Sequence, residues 1–177
     1  MIPEVWLSHK KEKPHRLTHD AYKGLVRAAF TVCARDKQKC LNTAGTQELI
    51  VNVLRSRATR YHCAVTVFVV MPDHLHLVLK GESEDADLYR CVVQFKRCLA
   101  YDLGPGFWQS DFYDHIIRDR LDLARQVMYV LMNPVRRGIV TEWREYSGSG
   151  SLTGSLEEIM QFARDMKQQA EREGRKW

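Results

Sequence analysis

The stretch from Phe68 to Lys80 constrains the fold of this chain more than any other. Two runs rich in apolar and β-branched residues, Ala64 to Met71 and His74 to Lys80, flank a Pro-Asp pair. Proline presets the φ angle of a turn and aspartate tolerates the bend. The stretch therefore predicts two adjacent antiparallel strands.

His74 and His76 alternate with leucines along the second of these strands. Because successive side chains point to opposite faces of a strand, both imidazoles lie on one face, about 7 Å apart. Two imidazoles at that spacing can bind one divalent metal ion. A histidine pair on the polar side of a half-buried strand fits the same pattern, so this motif alone leaves both interpretations open.

Apolar periodicity predicts the other elements of a central domain. A β-rich run over 22–34 indicates a first strand, and helical spacing indicates helices over 43–60, 85–101 and 121–133. A connector and a short fourth strand are predicted over 107–118, after a break at Gly104-Pro105-Gly106. This order favours an α+β sandwich in which helices cover an antiparallel sheet.

The two ends of the chain differ from this pattern. The first twenty residues are rich in lysine and histidine and have no clear period, which predicts a basic N-terminal arm. Ser147 to Ser155 is rich in glycine and serine, which predicts a flexible linker before a last helix. Whether that helix docks on the domain or contacts another chain stays open. The predicted parts are an arm over 1–20, a domain over 21–147, and a linker with a helix over 148–177.

Composition narrows the class of protein. The net charge of +5 is compatible with a polyanionic partner, although many proteins without one are as basic. The apolar runs fall short of the ~18 residues that span a bilayer, and the N-terminus lacks the apolar core of a secretory signal. The five cysteines form no Cys-x-x-Cys pair, which predicts reduced thiols. We therefore expect a cytoplasmic protein with no membrane contact.

The predicted helix over 121–133 carries the second group of chemical interest. At about 100° per residue, Tyr129 and Asn133 lie on the same face, away from the apolar stripe. A tyrosine hydroxyl can act as a nucleophile. An ordinary surface tyrosine and an asparagine that caps the turn before Pro134 would have the same spacing.

Taken together, these motifs resemble a known family. A strand with His-hydrophobic-His after Met-Pro-Asp, then Tyr-x-x-x-Asn-Pro-Val about fifty residues later, resembles the single-tyrosine HUH transposases. It is most similar to the REP-associated tyrosine transposases of bacteria. Further segments follow in that family's order, over about 24–148: Phe95-Lys96-Arg97, Phe107-Trp108-Gln109, and Tyr113 to Arg118. The resemblance implies a ferredoxin-like sandwich, the HUH endonuclease fold.

The resemblance also implies an activity and a site. It implies a metal-dependent endonuclease and strand transferase that acts on single-stranded, hairpin or repetitive palindromic DNA through a 5′-phosphotyrosine. Tyr129 would be the nucleophile, and His74, His76 and Asn133 would bind Mg²⁺ or Mn²⁺. The imidazoles by themselves suit Mn²⁺, Zn²⁺ or Ni²⁺ better than Mg²⁺.

Basic and aromatic side chains are candidates for DNA contacts. Positively charged surface around the site holds DNA phosphates in that family, and an exposed aromatic ring can stack on an unpaired base. Alternatively, the charged residues form a solvated basic face with no ligand. The aromatic residues Trp108, Phe112 and Tyr113 alternatively pack at one end of the core, and we favour this interpretation for Phe112. The candidates are Arg90, Lys96, Arg97, Trp108, Arg136 and Arg137.

Other functions remain open at this point. One is a catalytically silent DNA-binding regulator on the same fold, against which the intact histidines, tyrosine and asparagine argue. Another is an unrelated metallohydrolase that uses His74, His76 and a carboxylate such as Asp114. The sequence decides neither between monomer and homodimer nor which DNA is recognised.

Overall fold

The computed structural model of the protein describes residues 17–177. The first sixteen residues, which make up most of the predicted basic arm, lie outside the described residues. The end of that arm forms a 3-10 turn, His19–Tyr22. The His19 Nε2 atom lies 2.9 Å from both carboxylate oxygens of Asp87, which fastens this turn to the domain.

Within residues 17–177, five strands form one antiparallel sheet in the order β4-β1-β3-β2-β5. The two strands predicted around the Pro-Asp pair are its centre, β2 and β3, and they pair with each other as expected. The strands are β1 (Arg27–Cys33), β2 (Cys63–Val70), β3 (His74–Gly81), β4 (Tyr113–Ile117) and β5 (Ser149–Gly150).

Helices cover both faces of this sheet. α1 (Ala44–Arg60) and α2 (Leu88–Leu103) pack on one face. α3 (Arg120–Leu131) and α5 (Leu156–Arg172) pack on the other, and the short α4 (Asn133–Arg136) follows α3. Within residues 17–177, no helix is both long enough and apolar enough to cross a membrane. The order β1-α1-β2-β3-α2-β4 confirms the predicted ferredoxin-like α+β sandwich.

Side-chain alternation on β3 separates the core from the candidate site. Leu75, Leu77 and Leu79 are fully buried against α1 and α2. Val78 belongs to the core under α3 and α5. His74 and His76 therefore lie on the α3 face, as the two-residue period predicts.

The segment predicted as a flexible linker is a short edge strand instead. The Val70 amide donates to the Gly148 carbonyl at 2.8 Å, and the Leu152 amide to the Val65 carbonyl at 3.0 Å. A Cβ atom on Gly150 would lie 2.3 Å from the ring of Phe68, so the glycine allows close approach rather than mobility. The last helix, whose docking the sequence left open, packs on α3 through Met160 and Ala163.

Candidate active site

The candidate site lies where β3 begins. The turn before it is held from two sides, since the Leu41 amide donates to the Pro72 carbonyl at 3.0 Å and the Ala34 amide to the Asp73 carbonyl at 2.9 Å. These backbone bonds fix where the first residues of β3 emerge. The position of His74 is thus set by the domain and not by a mobile loop.

The two histidine rings face each other. The Nε2 atoms of His74 and His76 are 3.0 Å apart, and the ring planes meet at 88°. Both side chains are buried. The two ring nitrogens most suited to bind a common ligand therefore point into one small space.

The other nitrogen of each ring has its own partner. Nδ1 of His74 donates to Asp73 Oδ1 at 2.5 Å, because a carboxylate can only accept. Nδ1 of His76 lies 2.9 Å from the hydroxyl oxygen of Thr31, which can accept in the same way. Partners of this kind fix the tautomer and the orientation of metal-binding histidines. Both Nε2 atoms are then left with lone pairs.

Asn133 completes the cluster from the helical layer. α3 ends at Leu131, and Asn133 begins α4, with Pro134 in the first turn, where proline is tolerated. The Asn133 side chain is buried, and its Nδ2 atom lies 2.7 Å from His76 Nε2. Because rotation of an amide exchanges its nitrogen and oxygen, Asn133 can present either a donor or an acceptor here.

Tyr129 lies one helical turn before Asn133 and contacts the same histidine. Its ring centroid is 5.5 Å from that of His76, with the planes at 81°. The guanidinium of Arg136 lies over the tyrosine ring, 4.8 Å from its centroid. The side chain is 37% exposed, so it is open to a macromolecular substrate.

The electrostatic environment keeps both imidazoles neutral. Burial lowers the pKa of His74, with Asp73 opposing and the charges of Arg137 and Lys37 adding to the lowering. Burial, followed by the charges of His74, Arg137 and Arg136, holds the pKa of His76 well below its usual range. Neutral imidazole is the form that binds metals.

This donor set fits a divalent cation. Two neutral Nε2 atoms at 3.0 Å direct lone pairs at each other, an arrangement that a shared cation relieves. In the part of the chain that the structure describes, no group of three or more His, Cys, Asp or Glu side chains could hold a metal. The ligands on offer are therefore His74, His76 and the Asn133 amide, a set that favours Mn²⁺ or Zn²⁺ over Mg²⁺.

Three of the predicted DNA contacts do not border this site. Arg90, Lys96 and Arg97 lie on α2, which packs on the opposite face of the sheet. Arg90 forms an ion pair with Asp87 at 3.7 Å. Lys96 donates to the backbone carbonyls of Gln109, Ser110 and Asp111 and so braces that loop. Periodicity identified the basic face of the helix, but not which side of the sheet the helix covers.

For Trp108, which the sequence left open between base stacking and core packing, the structure supports packing. The side chain is only 5% exposed and packs beside Phe95 and Phe107. Phe112 is buried as well, as favoured from the sequence. Arg136 and Arg137, by contrast, are exposed at the C-terminal end of α4, and their charges act on His76.

The carboxylate considered for a metallohydrolase site lies on the other face of the sheet from the two histidines. Asp114 is on the α1–α2 face, where it accepts a hydrogen bond from Tyr22 at 2.6 Å. It therefore cannot join His74 and His76 around one metal. His115, on the α3 face of β4, contacts the Asp122 carboxylate at 2.9 Å and ties this strand to α3.

Sequence reasoning missed three contributors to the site. Asp73 was interpreted only as a turn residue, although its position next to the first histidine was a usable signal. Thr31 is 45 residues from His76, and only the strand register brings the two together. Lys37 reaches the site because residues 35–37 form a turn beside it, which no motif marks.

Comparison with known proteins identifies the family. The family model for IS200-like transposases matches residues 23–117, which stops before Tyr129. A REP-associated tyrosine transposase of Escherichia coli K12 is 30% identical over 117 residues, covering 64% of this chain and 68% of that protein. A Haemophilus influenzae relative is 28% identical over 132 residues, covering 64% and 74%.

A solved structure agrees with the fold. The structure of a REP-associated tyrosine transposase bound to a REP hairpin superimposes with a TM-score of 0.69 at 21% identity, covering 82% of this chain and 93% of that one. The resemblance drawn from the motifs is thus confirmed. This chain belongs to the IS200-like transposase family, among the REP-associated tyrosine transposases, and is a DNA-cleaving enzyme.

Proposed function

We propose that this transposase cuts and rejoins single strands of DNA through a covalent bond between Tyr129 and a 5′ phosphate, with a divalent cation held by His74, His76 and Asn133. One observation carries the proposal. The Nε2 atom of His76 lies 3.0 Å from that of His74 and 2.7 Å from the side-chain amide of Asn133, and the ring of Tyr129 lies against His76.

The proposed cofactor is Mg²⁺ or Mn²⁺, and of these two the imidazole ligands favour Mn²⁺. When bound, such a cation polarises the scissile phosphate and offsets the charge that repels a nucleophile. Asp73 and Thr31 support this role by holding the two rings with Nε2 directed inward. Asn133 contributes an uncharged oxygen, which leaves the net positive charge of the site intact.

In the proposed reaction the phenolic oxygen of Tyr129 attacks the phosphorus and its proton passes to solvent. A tyrosine O–P bond forms, the bond from phosphorus to the 3′ oxygen breaks, and that oxygen takes up a proton to become a free 3′ hydroxyl. The Arg136 guanidinium over the ring stabilises negative charge that develops on the phenol. Attack by a 3′ hydroxyl on the phosphotyrosine reverses these steps and joins strands.

The proposed substrate is a DNA hairpin with unpaired flanks. The related protein of the solved complex binds a REP hairpin, and we extend that kind of ligand to this chain. Arg136 lies over the ring of Tyr129 and Arg137 is the exposed residue that follows it, so both can hold phosphates of the strand that reaches the tyrosine. Such binding should weaken as salt rises.

The experiment compares two DNAs of the same sequence. A labelled hairpin with single-stranded flanks, and the same strand annealed into a full duplex, are incubated with Mn²⁺ or with EDTA and run on denaturing gels. Cleavage with a protein-linked product is expected only for the hairpin and only with the metal. Equal cleavage of the duplex, or cleavage in EDTA, contradicts the proposal.

A further inference from the structure

A row of side chains crosses the sheet beside the candidate site. In the strand registers His76 pairs with Thr31, and Thr31 pairs with Tyr113. Directly paired residues of neighbouring strands project to the same face, so all three lie on the α3 face. Strands are about 4.8 Å apart, which puts the backbone of Tyr113 about 10 Å from that of His76.

Tyr113 is the exposed aromatic side chain of the segment over 107–118. It is 52% exposed, while Trp108 and Phe112 are buried. Among the described residues, Tyr101 and Tyr129 are the other exposed tyrosines, and Tyr101 lies on α2, across the sheet. Tyr113 therefore shares both exposure and sheet face with Tyr129.

The surface between these two tyrosines is partly open. α3 packs on β2 and β3, and the neighbouring part of β1 and β4 is less covered. Thr31 and Cys33 are half-buried there, and Tyr113 and His115 are exposed. Because β4 is an edge strand among residues 17–177, a polymer that crosses this strip meets no further strand of that range as it leaves the sheet.

We infer that Tyr113 is a stacking platform for an unpaired base of the DNA strand whose phosphate reaches Tyr129; this rests on the proposed single-strand substrate. Every base has a π face, so a tyrosine ring can hold a base without reading its identity. Thr31 forms the floor between the platform and His76. Arg136 and Arg137 attract the DNA backbone at the other end of the path. A strand fixed at both ends presents a defined phosphate to the nucleophile.

The test measures binding without chemistry. The probe is a DNA hairpin with an oligothymidine tail that carries one 2-aminopurine, placed at successive tail positions and bound to the otherwise complete Tyr129→Phe protein. Stacking on an aromatic ring quenches the fluorescence of this base. We expect strong quenching at one tail position, and its loss on Tyr113→Ala with a rise in Kd of about 5- to 150-fold.

Two control variants make the result specific. Tyr113→Phe keeps the ring and should keep both quenching and affinity, whereas Tyr101→Ala removes an exposed tyrosine elsewhere and should change neither. Unchanged quenching and affinity in a folded Tyr113→Ala protein overturn the inference alone. If the unsubstituted Tyr113 protein binds the hairpin no better than the matched duplex, the proposed substrate fails as well, and the two failures are thus distinguishable.

Discussion

The Nε2 atoms of His74 and His76 face each other across 3.0 Å on the buried α3 face of the sheet. Asp73 and Thr31 occupy the outer nitrogens of the two rings. The groups that orient the two rings are thus in place before any ligand binds between the Nε2 atoms.

Loss of either inner histidine should abolish metal binding. His74→Ala and His76→Ala each remove one of three donors, and the remaining two are too few for a tight site. Calorimetric titration with Mn²⁺ should show binding to the native protein and none to either variant. His115→Ala, on the same sheet face but paired with Asp122, is the matched control and should titrate like the native protein. Native-like titration of both inner variants would remove the metal assignment.

Asp73 should act through the orientation of His74. Asp73→Ala removes the acceptor at 2.5 Å from Nδ1, which frees the tautomer of the ring and should weaken Mn²⁺ binding by about 10- to 100-fold. Circular dichroism should show an unchanged fold. Asp102→Ala, an exposed carboxylate on α2, controls for net charge. An equal effect of the two variants would mean that only long-range charge matters.

These two predictions show what the sequence could and could not provide. The two-residue period put both histidines on one face, and the four-residue spacing put Tyr129 and Asn133 together, because both follow from local geometry. Thr31 depends on the pairing of β1 with β3, which no local pattern encodes.

Tertiary packing decided the features that the sequence left open or predicted differently. A basic helix face looks the same from the sequence whichever side of a sheet the helix covers, so the sequence could not show that Arg90 and Arg97 lie across the sheet from the histidines. Trp108 is buried by aromatic neighbours that approach only in the folded chain. Ser149 and Gly150 lie in the segment predicted as a flexible linker, but their small size allows close packing against β2.

The stability of the metal-free protein should depend on the histidine pair at mildly acidic pH. Both pKa values are lowered in the folded state from the ordinary 6.5, chiefly by burial. Below that pH the two histidines are protonated in the unfolded chain but stay neutral in the folded chain. The free energy of unfolding should therefore fall as the pH drops from about 6.5. Urea unfolding in EDTA between pH 7.5 and 5 measures this.

A double variant isolates the contribution of the pair. His74→Gln/His76→Gln should flatten the slope of stability against pH in that window, whatever its absolute stability. Asp119 and Glu145, whose pKa values are lowered from 3.8 and 4.5, contribute only at lower pH. An unchanged slope in the double variant would show that the imidazoles are not the groups that titrate.

Arg136 should contribute to the chemical step, and Arg137 to binding alone. Arg136 lies 4.8 Å from the Tyr129 ring centroid, an interaction whose loss in Arg136→Ala should slow adduct formation about 2- to 30-fold at saturating DNA. Arg137→Ala should raise the Kd for DNA and leave the single-turnover rate unchanged. Arg136→Lys should recover part of the rate. Matching rates for the two alanine variants at saturation would refute this division.

The central claim is that Tyr129 is the nucleophile and keeps the 5′ phosphate. The decisive measurement incubates the protein and a hairpin substrate labelled at one end or the other with Mn²⁺, then combines denaturing gels with mass spectrometry of the linked peptide. The account predicts one adduct, on the α3 peptide at Tyr129, that retains only the label 3′ of the cut and is absent from Tyr129→Phe. An adduct formed by Tyr129→Phe, or one that retains the label 5′ of the cut, would contradict it.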